Sequence, residues 1–292
     1  FKRTFKNCKI RISTHGCFPF CHSLYHEIKR NKVEAITTAQ MHQDELAAIL
    51  FTSGGTGEPK GVVYTHKIFS RQTELLKELF CLTTEDIDMP GFPLFSFFTL
   101  TLGLKNVIPQ LNPAGPKTVN PASIVKGIQD HQVTFLAGSP AIWEKVALYC
   151  RENKITLPSV TKVVMFGAPV SVKIHELFCN VIPNGETFTP YGATEALPIS
   201  CVSGKFVLES TAEQTKNGEG TCIGKIVPGM QVKIIKISDK AISNLSEATE
   251  VTPGTIGEII VSGDIVTARY YDMAKETFTA KIYEDRADSS KF

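Results

Sequence analysis

Residues 46–61 read LAAILFTSGGTGEPKG, an apolar run followed within ten positions by four glycines, three hydroxyl side chains and one lysine. The apolar part, residues 47–51, predicts a strand, and the apolar side chains of residues 67–81 have the spacing of a helix. Because strand, glycine loop and helix follow one another in this order, the stretch predicts the first unit of an α/β fold.

Two further strand-then-helix units follow along the chain. Residues 133–136 lead into 140–151, and residues 163–166 lead into 170–181, each time with an apolar run before a helical spacing. Repetition of this order predicts largely parallel sheets with helices packed on them, because parallel strands need crossover connections. The predicted fold class is therefore α/β.

The end of the chain changes in character after about Gly218. Short runs of alternating apolar residues at 232–237, 256–261 and 266–271 are separated by turns and predict a β-rich subdomain. The front of the chain is less regular, with one short helix predicted at 24–30. The expected organisation is an N-terminal segment, an α/β region and the β-rich subdomain, at 1–45, 46–217 and 218–292.

Composition narrows the class of protein. Hydrophobic residues make up 42% and charged residues 21% of the 292 residues, which is typical of a globular protein and argues against disorder. A net charge of +2 offers no electrostatic surface to nucleic acid, and no apolar run reaches the length of a membrane span. We therefore expect no nucleic-acid partner, no integral membrane segment and a cytoplasmic location.

The eight cysteines are scattered along the chain, which favours reduced thiols over a disulfide framework. One cluster of Cys and His side chains could supply zinc ligands: His15, Cys17, Cys21, His22 and His26. It contains no CxxC pair, and two His side chains at helical spacing are common by chance. A metal is therefore not expected in this cluster.

The glycine loop has the parts of a phosphate-binding site. Glycines let backbone N–H groups approach an anion, hydroxyls add donors, and a lysine adds a mobile positive charge. The loop is not the P-loop of common nucleotide hydrolases, because Lys60 follows Pro59 and precedes Gly61 instead of a Ser or Thr. The alternative, a flexible surface loop, explains the ordered mix of donors less well.

The loop resembles the phosphate-binding signature of the acyl-adenylate-forming superfamily, the AMP-dependent synthetases and ligases. The resemblance implies ATP as a substrate and assigns its phosphates to Thr52, Ser53, Gly54, Gly55, Thr56, Gly57 and Lys60. Gly55 departs from the pattern, since most members have serine there. The change removes a hydroxyl but keeps the backbone donors, so it affects the expected affinity more than ATP binding itself.

A second stretch, residues 188–195 (FTPYGATE), resembles the next signature of the superfamily. A tyrosine face can stack on adenine, a threonine hydroxyl can bind a phosphate, and a glutamate can hold magnesium. The resemblance therefore assigns Tyr191 and Gly192 to the adenine. It assigns Thr194 to the α-phosphate and Glu195 to Mg²⁺.

Residues 165–169, MFGAP, lie between the two signatures and read as a strand end followed by small residues. In the superfamily this segment forms another wall of the adenine pocket, which assigns Gly167, Ala168 and Pro169 to that wall. Ligands of open α/β sheets bind at the carboxyl ends of strands. The expected catalytic residues are Lys60, Thr194 and Glu195.

One branch of the superfamily is especially similar, the β-lactone synthetases of bacterial long-chain olefin biosynthesis, whose sequences are often labelled fatty-acid CoA ligases. The similarity runs from about Asp44 to the end, with its clearest stretches at 51–76, 138–141 and 189–198. It implies activation of a long-chain β-hydroxy fatty acid as acyl-AMP with release of pyrophosphate, followed by β-lactone formation. Two alternatives stay open: a generic acyl-CoA synthetase, which would use CoA, and a catalytically silent nucleotide-binding domain.

A fatty tail needs an apolar site, and one run of apolar side chains is a candidate lining for a tunnel: Phe92, Leu94, Phe95, Phe97, Phe98 and Leu100. Ordinary core packing explains the same run about equally well. Both interpretations stay open at the level of the sequence.

Two features that the resemblance implies are not found at their expected positions, a ribose-binding aspartate and a small C-terminal domain. The ribose-binding aspartate should follow the β-rich segment, and Asp264 comes too early. The small C-terminal domain with its catalytic lysine would lie beyond Phe292, so we expect an incomplete large domain with impaired turnover. A serine hydrolase is a weak alternative, because residues 138–140, GSP, lack the second glycine of a nucleophile elbow.

Overall fold

The chain divides into two compact units, Phe1–Met41 and His42–Phe292. The computed structural model describes residues 10–14, 21–30, 38–52, 58–111, 115 and 118–283. In the first unit, β1 (Ile12–Ser13) pairs in parallel with β2 (His22–Ser23), and α1 spans Leu24–Arg30. The helix predicted at 24–30 is therefore confirmed.

The second unit alternates strands and helices along most of its length. In chain order these elements are β3 (Leu46–Phe51), β4 (Gly61–Thr65), α2 (His66–Phe80), β5 (Ile87–Pro90), α3 (Ser96–Thr101), β6 (Lys105–Asn106), α4 (Pro121–His131), β7 (Phe135–Gly138), α5 (Pro140–Glu152), β8 (Lys162–Met165), α6 (Val172–Cys179), β9 (Glu186–Ala193), β10 (Ala196–Ser203), α7 (Gly204–Phe206), α8 (Ala212–Lys216), β11 (Lys225–Ile226), β12 (Met230–Ile235), β13 (Glu258–Gly263) and α9 (Ala274–Ala280). A π-helical turn, Val207–Thr211, joins α7 to α8.

The central sheet has seven strands in the order β11-β10-β9-β8-β7-β5-β6. The five strands from β6 to β9 pair in parallel, whereas β10 and β11 are added antiparallel at one edge. The strand-then-helix units β7–α5 and β8–α6 supply neighbouring strands of this sheet, as the sequence predicts. The α/β class with a largely parallel sheet is confirmed.

Both faces of the central strands are buried, which explains why these strands read as continuous apolar runs. On one face, Leu136 and Val163 pack with Trp143 of α5 in the largest apolar cluster, to which α4, α5 and α6 all contribute. On the other face, Phe135 and Val164 pack with residues that include Phe80 of α2. The side-chain alternation of period two along β7 and β8 therefore divides these residues between two cores.

Two of the helices that cover the sheet, α4 and α5, begin at side-chain caps. The Asn120 carboxamide oxygen accepts a hydrogen bond from the backbone N–H of Ala122 and is followed by proline at the start of α4. Ser139 does the same for α5, since its Oγ accepts from the N–H of Ala141 at 3.3 Å. Ser139 therefore has a structural role at a helix start.

The structure corrects the first predicted unit. The glycine loop does not lead directly into a helix, because β4 comes between loop and helix and pairs antiparallel with β3. These two strands form a sheet of their own, separate from the seven-stranded sheet. The run 61–65, GVVYT, is rich in β-branched and aromatic side chains, and this signal for β4 was missed.

The β-rich region is also only partly as predicted. Strands β12 and β13 pair antiparallel and overlap the runs predicted at 232–237 and 256–261. The third predicted strand, 266–271, is wrong: the segment forms a single bridge between Tyr270 and Val62 and otherwise follows the irregular path of a loop. Its backbone bonds the β9–β10 turn and strand β4, and these tertiary contacts override the local alternation of apolar residues. None of the helices in the described residues has both the length and the apolar character needed to cross a membrane.

Candidate active site

The base of the glycine loop is closed by the hairpin β3–β4. The backbone N–H of Thr52 donates to the carbonyl oxygen of Lys60 at 3.0 Å, so the two predicted phosphate-binding residues at the ends of the loop lie side by side. The other predicted phosphate-binding residues lie outside the described residues: Ser53, Gly54, Gly55, Thr56 and Gly57. The hairpin therefore fixes where the loop leaves and re-enters the fold.

The second motif lies at the tight turn between β9 and β10. A Cβ atom added to Gly192 would come within 2.5 Å of the carbonyl oxygen of Ala196, so the turn has room only for glycine at this position. Thr194 and Glu195 form the two-residue connection between the strands. Residues from other parts of the chain donate hydrogen bonds to the backbone of this turn. The hydroxyl of Tyr64 donates to the carbonyl oxygen of Thr194 at 2.6 Å, and the N–H of Thr267 donates to that of Glu195 at 2.9 Å.

Tyr270 connects the two motifs. Its hydroxyl donates to Glu195 Oε1 at 2.6 Å, and Lys60 Nζ lies 5.3 Å from the centre of its ring. Burial, together with the hydrogen bond and the charge of Glu195, raises the pKa of Tyr270 well above its ordinary value, so the hydroxyl keeps its proton and acts as the donor. The structure thus brings Lys60 and Glu195, two of the three expected catalytic residues, to the same tyrosine.

The residues predicted to surround adenine lie at the carboxyl edge of the central sheet. Gly167, Ala168 and Pro169 begin one residue after β8 and are exposed, and Tyr191 lies near the end of β9. Strands β8 and β9 pair in parallel, so these two groups lie at the same edge of the sheet. Gly167 has φ +84° and nothing within 4 Å of an added Cβ, so the segment turns beside open space.

The run predicted as a tunnel lining divides into packed and exposed side chains. Phe95 meets Phe166, the residue before Gly167, with ring centres 4.7 Å apart, and Phe98 meets Phe69 of α2 at 5.8 Å. The remaining apolar side chains of the run are exposed, with 38–63% of their surface accessible: Phe92, Leu94, Phe97 and Leu100. Part of the run therefore packs beside the predicted adenine wall and part faces outward.

The family of this protein follows from a match over most of its length. Residues 7–271 match the family model described as AMP-binding enzyme. The chain belongs to the AMP-binding enzyme family. The residues quoted above for the two signatures lie within the matched range.

Two curated relatives of this AMP-binding enzyme are named olefin beta-lactone synthetase. The one from Stenotrophomonas maltophilia is 41% identical and the one from Xanthomonas campestris 40% identical, each over 85% of this chain and 44% of the relative. The chain therefore spans less than half the length of these relatives. Among solved structures, a long-chain-fatty-acid-CoA ligase from Archaeoglobus fulgidus has a TM-score of 0.71 at 19% identity, covering 91% of this chain and 52% of that one, and supports the fold.

The described residues fit a magnesium ion that arrives with a nucleotide. Within the described ranges, no group of three or more His, Cys, Asp or Glu side chains could enclose a metal by itself. Glu195 has one carboxylate oxygen bonded to Tyr270, and among the described residues no hydrogen bond reaches the other. Mg²⁺ in nucleotide sites takes one or two carboxylates together with phosphates and waters, so one free carboxylate oxygen is a suitable donor.

The sequence raised two further candidates, an aspartate and the Cys/His cluster. Asp264 forms an exposed ion pair with Lys67 near the start of α2, and its Oδ1 lies 3.1 Å from the lysine Nζ. In the N-terminal unit, His22 Nδ1 lies 2.9 Å from Glu27 Oε1. His15 and Cys17 of the Cys/His cluster lie outside the described residues.

Sequence reasoning missed the two tyrosines that hold the motifs. Tyr64 and Tyr270 are 3% and 5% exposed, and each donates to the Thr194–Glu195 turn. Neither belongs to the two signatures quoted above, and their partners are 130 and 75 residues away in the sequence. Only the apolar, β-branched context of Tyr64 in the run 61–65 could have indicated that it lies on a strand.

Proposed function

We propose that this protein binds Mg²⁺-ATP between the β3–β4 hairpin and the β9–β10 turn and transfers AMP to a carboxylate. The observation that carries the proposal is the meeting of Lys60 and Glu195 at Tyr270. A triphosphate needs positive charge on its outer phosphates and a metal ion beside them. A lysine and a carboxylate that contact one tyrosine are close enough to serve the same triphosphate.

Each group has a separate task in this proposal. Lys60 and the backbone of the glycine loop bind the β- and γ-phosphates, and the Thr194 hydroxyl binds the α-phosphate. Glu195 holds the magnesium ion, which when bound offsets the negative charge of the phosphates. The adenine lies between Tyr191 and the segment 167–169, at the sheet edge where open α/β folds bind ligands.

The first step is nucleophilic attack by a carboxylate oxygen of the substrate on the α-phosphorus. The new P–O bond forms as the bond from the α-phosphorus to the bridging oxygen breaks, which gives acyl-AMP and pyrophosphate. The protein contributes orientation and charge stabilisation, since both reacting groups are anionic and repel each other without fixed donors between them. Lys60 and Thr194 supply these donors in the proposal.

The second step is ring closure on a β-hydroxy acyl group. The hydroxyl oxygen attacks the acyl carbon, the hydroxyl proton passes to solvent, and AMP leaves with the electron pair of the broken C–O bond. This step is supported by the 40–41% identity to two relatives named olefin beta-lactone synthetase. A β-lactone requires the hydroxyl on the β-carbon, which defines the substrate as a β-hydroxy carboxylic acid.

A long acyl chain is supported by the aromatic side chains beside the adenine wall. Phe95 and Phe98 are half-buried and continue through Phe69 to Tyr64, whose ring centre is 5.1 Å from that of Phe69. Tyr64 in turn bonds the Thr194 carbonyl oxygen. An apolar chain that leaves the α-phosphate along this row would cover aromatic surface, at about 25 cal/mol per Å² of apolar area buried.

Calorimetry of ATP binding with and without Mg²⁺ tests the nucleotide site. Lys60→Ala and Glu195→Ala should each weaken Mg²⁺-ATP binding about ten-fold or more, because each removes a charged partner of the triphosphate. Lys126→Ala is the matched control, since Lys126 is exposed on α4 and paired with Asp130. Binding that is equal in all three variants would exclude this site.

Product analysis distinguishes the reactions that can follow adenylation. With ATP, a long-chain β-hydroxy acid and CoA, the proposal gives β-lactone and AMP. A thioester in place of the lactone would identify an acyl-CoA synthetase. ATP binding without pyrophosphate exchange, also in a version extended to the length of the relatives, would identify a catalytically silent nucleotide-binding domain.

A further inference from the structure

Tyr270 lies on a segment that is attached by its backbone to the glycine-loop hairpin. The N–H of Tyr271 donates to the carbonyl of Gly61 at 2.7 Å, and the N–H of Val63 donates to the carbonyl of Arg269 at 3.1 Å. A bridge also joins Tyr270 to Val62. The position of the ring is therefore determined by β4, which begins directly after Lys60.

The hydroxyl of Tyr270 selects one oxygen of the Glu195 carboxylate. It bonds Oε1 at 2.6 Å, and the backbone of Glu195 is held separately by the N–H of Thr267 at 2.9 Å. A short hydrogen bond to a carboxylate is among the stronger ones in proteins, so it restricts rotation of the side chain. With Oε1 occupied, Oε2 is the oxygen left for another ligand.

The lysine above the ring strengthens this arrangement. Lys60 Nζ lies 5.3 Å from the ring centre, within the range of a cation–π contact. A positive charge near the phenol favours donation by its hydroxyl, and the carboxylate that accepts is negative. The three groups therefore form one row: lysine, tyrosine, glutamate.

We propose that Tyr270 is a positioning residue that holds the Glu195 carboxylate with Oε2 directed towards the magnesium ion of bound ATP. The inference rests on the proposed function, because it assigns a task to Tyr270 within that nucleotide site. Tyr270 does not touch the reacting atoms and acts through Glu195. It also links the two motifs, since the same residue fixes the metal-binding carboxylate relative to the phosphate-binding hairpin.

The Mg²⁺ dependence of ATP binding tests this role with Tyr270→Phe, which removes only the hydroxyl. Groups that orient a metal ligand typically contribute roughly ten-fold or more to metal affinity, so the variant should need about ten-fold more Mg²⁺ for half-maximal ATP binding. ATP binding in EDTA should stay unchanged. Tyr271→Phe is the matched control, because the neighbouring ring is 45% exposed and should leave both quantities as in the parent.

A double-variant cycle separates positioning from a general structural effect. In a Glu195→Gln background, Tyr270→Phe should have little additional effect on the Mg²⁺ requirement, because the carboxylate that it positions is absent. Full additivity, an equal loss of ATP binding with and without Mg²⁺, or loss of the fold by circular dichroism in Tyr270→Phe would each overturn the inference.

The outcome for the parent chain distinguishes this inference from the proposed function. If the parent binds Mg²⁺-ATP and Tyr270→Phe has the same Mg²⁺ requirement, the inference is wrong and the nucleotide site stands. If the parent binds no Mg²⁺-ATP, the proposed function is wrong, and the role of Tyr270 towards the metal is overturned with it.

Discussion

The central parallel sheet and the β3–β4 hairpin are held in the fold by different interactions. The sheet strands β7 and β8 lie between two apolar cores, and Trp143, which packs against them, is fully buried. On β3, by contrast, Leu46 and Phe51 are 48% and 70% exposed. The outer strand of the hairpin therefore contributes little apolar burial.

The hairpin is attached through its inner strand β4, whose Val62 and Tyr64 lie in a small apolar cluster with Ile68 and Tyr270, and through hydrogen bonds. Tyr64 bonds the β9–β10 turn, and the backbone of β4 bonds residues 269–271. Hydrogen bonds contribute about 1 kcal/mol each to stability, much less than burial of a large aromatic side chain. Deletion of a large side chain beneath the sheet should therefore destabilise the protein more than removal of a single hydrogen-bonding hydroxyl near the hairpin.

The largest expected effect on stability comes from Trp143→Ala. Deletion of a fully buried tryptophan removes apolar contacts and leaves a cavity, so the free energy of unfolding should fall by about 3–5 kcal/mol. Urea denaturation followed by far-UV circular dichroism measures the loss. Phe97→Ala is the control, because Phe97 is 63% exposed and should cost under about 0.5 kcal/mol.

A loss below 1 kcal/mol for Trp143→Ala would contradict the comparison. It would mean that the apolar cluster under the sheet does not limit global unfolding. The hairpin and the sheet would then have to be regarded as parts of similar stability.

The second prediction concerns pH and uses two buried groups of the sheet region. Burial raises the pKa of Asp88 on β5 from 3.8 to about 7, even though Thr99 donates to its Oδ2 at 2.6 Å. Burial lowers the pKa of His175 on α6 from 6.5 to about 4. Between about pH 4 and pH 7, Asp88 is therefore protonated in the folded protein and ionised in the unfolded chain. Between about pH 4 and pH 6.5, His175 is neutral in the folded protein and protonated in the unfolded chain.

The two groups therefore give opposite slopes of stability with pH. Asp88 makes the folded state less stable as pH rises from about 4 to 7, and His175 makes it more stable as pH rises from about 4 to 6.5. Asp88→Asn removes the first contribution and leaves only that of His175. The difference in the free energy of unfolding between variant and parent should therefore grow in favour of the variant by roughly 2–4 kcal/mol from pH 4 to pH 8. Urea denaturation at several pH values measures this difference, and a parallel shift at all pH values would argue against a buried ionisation at Asp88.

Local patterns were sufficient to predict two neighbouring strands of the central sheet, β7 and β8, and the helices that follow them. The units β7–α5 and β8–α6 were recognised because strand and helix periodicity lie within single short segments. The glycine loop and the Tyr191–Glu195 stretch were recognised for the same reason, since each signature is contiguous. Thr52, Lys60, Thr194 and Glu195 stay predictions as ligand-binding residues.

The hairpin region could not be predicted in the same way, because its interactions join distant parts of the chain. Residues 266–271 alternate like a strand, yet they follow the path that lets Tyr270 reach both Val62 and Glu195. The partner of such a residue is set by the tertiary fold and leaves no periodic signal in the sequence. Strand β4 is a different case, because its run of β-branched and aromatic residues at 61–65 is a local signal that was missed.

The smallest expected effect on stability comes from Tyr64→Phe, which removes one bond between the hairpin and the β9–β10 turn. The Thr194 carbonyl oxygen loses its donor at 2.6 Å, and the free energy of unfolding should fall by about 1 kcal/mol. Tyr149→Phe on α5 is a matched control and should leave stability unchanged. Mg²⁺ dependence should change less than in Tyr270→Phe, because Tyr64 holds the main chain of Thr194 and not the carboxylate of Glu195. If Tyr64→Phe instead destabilised the protein as much as Trp143→Ala, the hairpin would belong to the same cooperative core as the sheet. The effects of variants at the proposed nucleotide site could then no longer be separated from global unfolding.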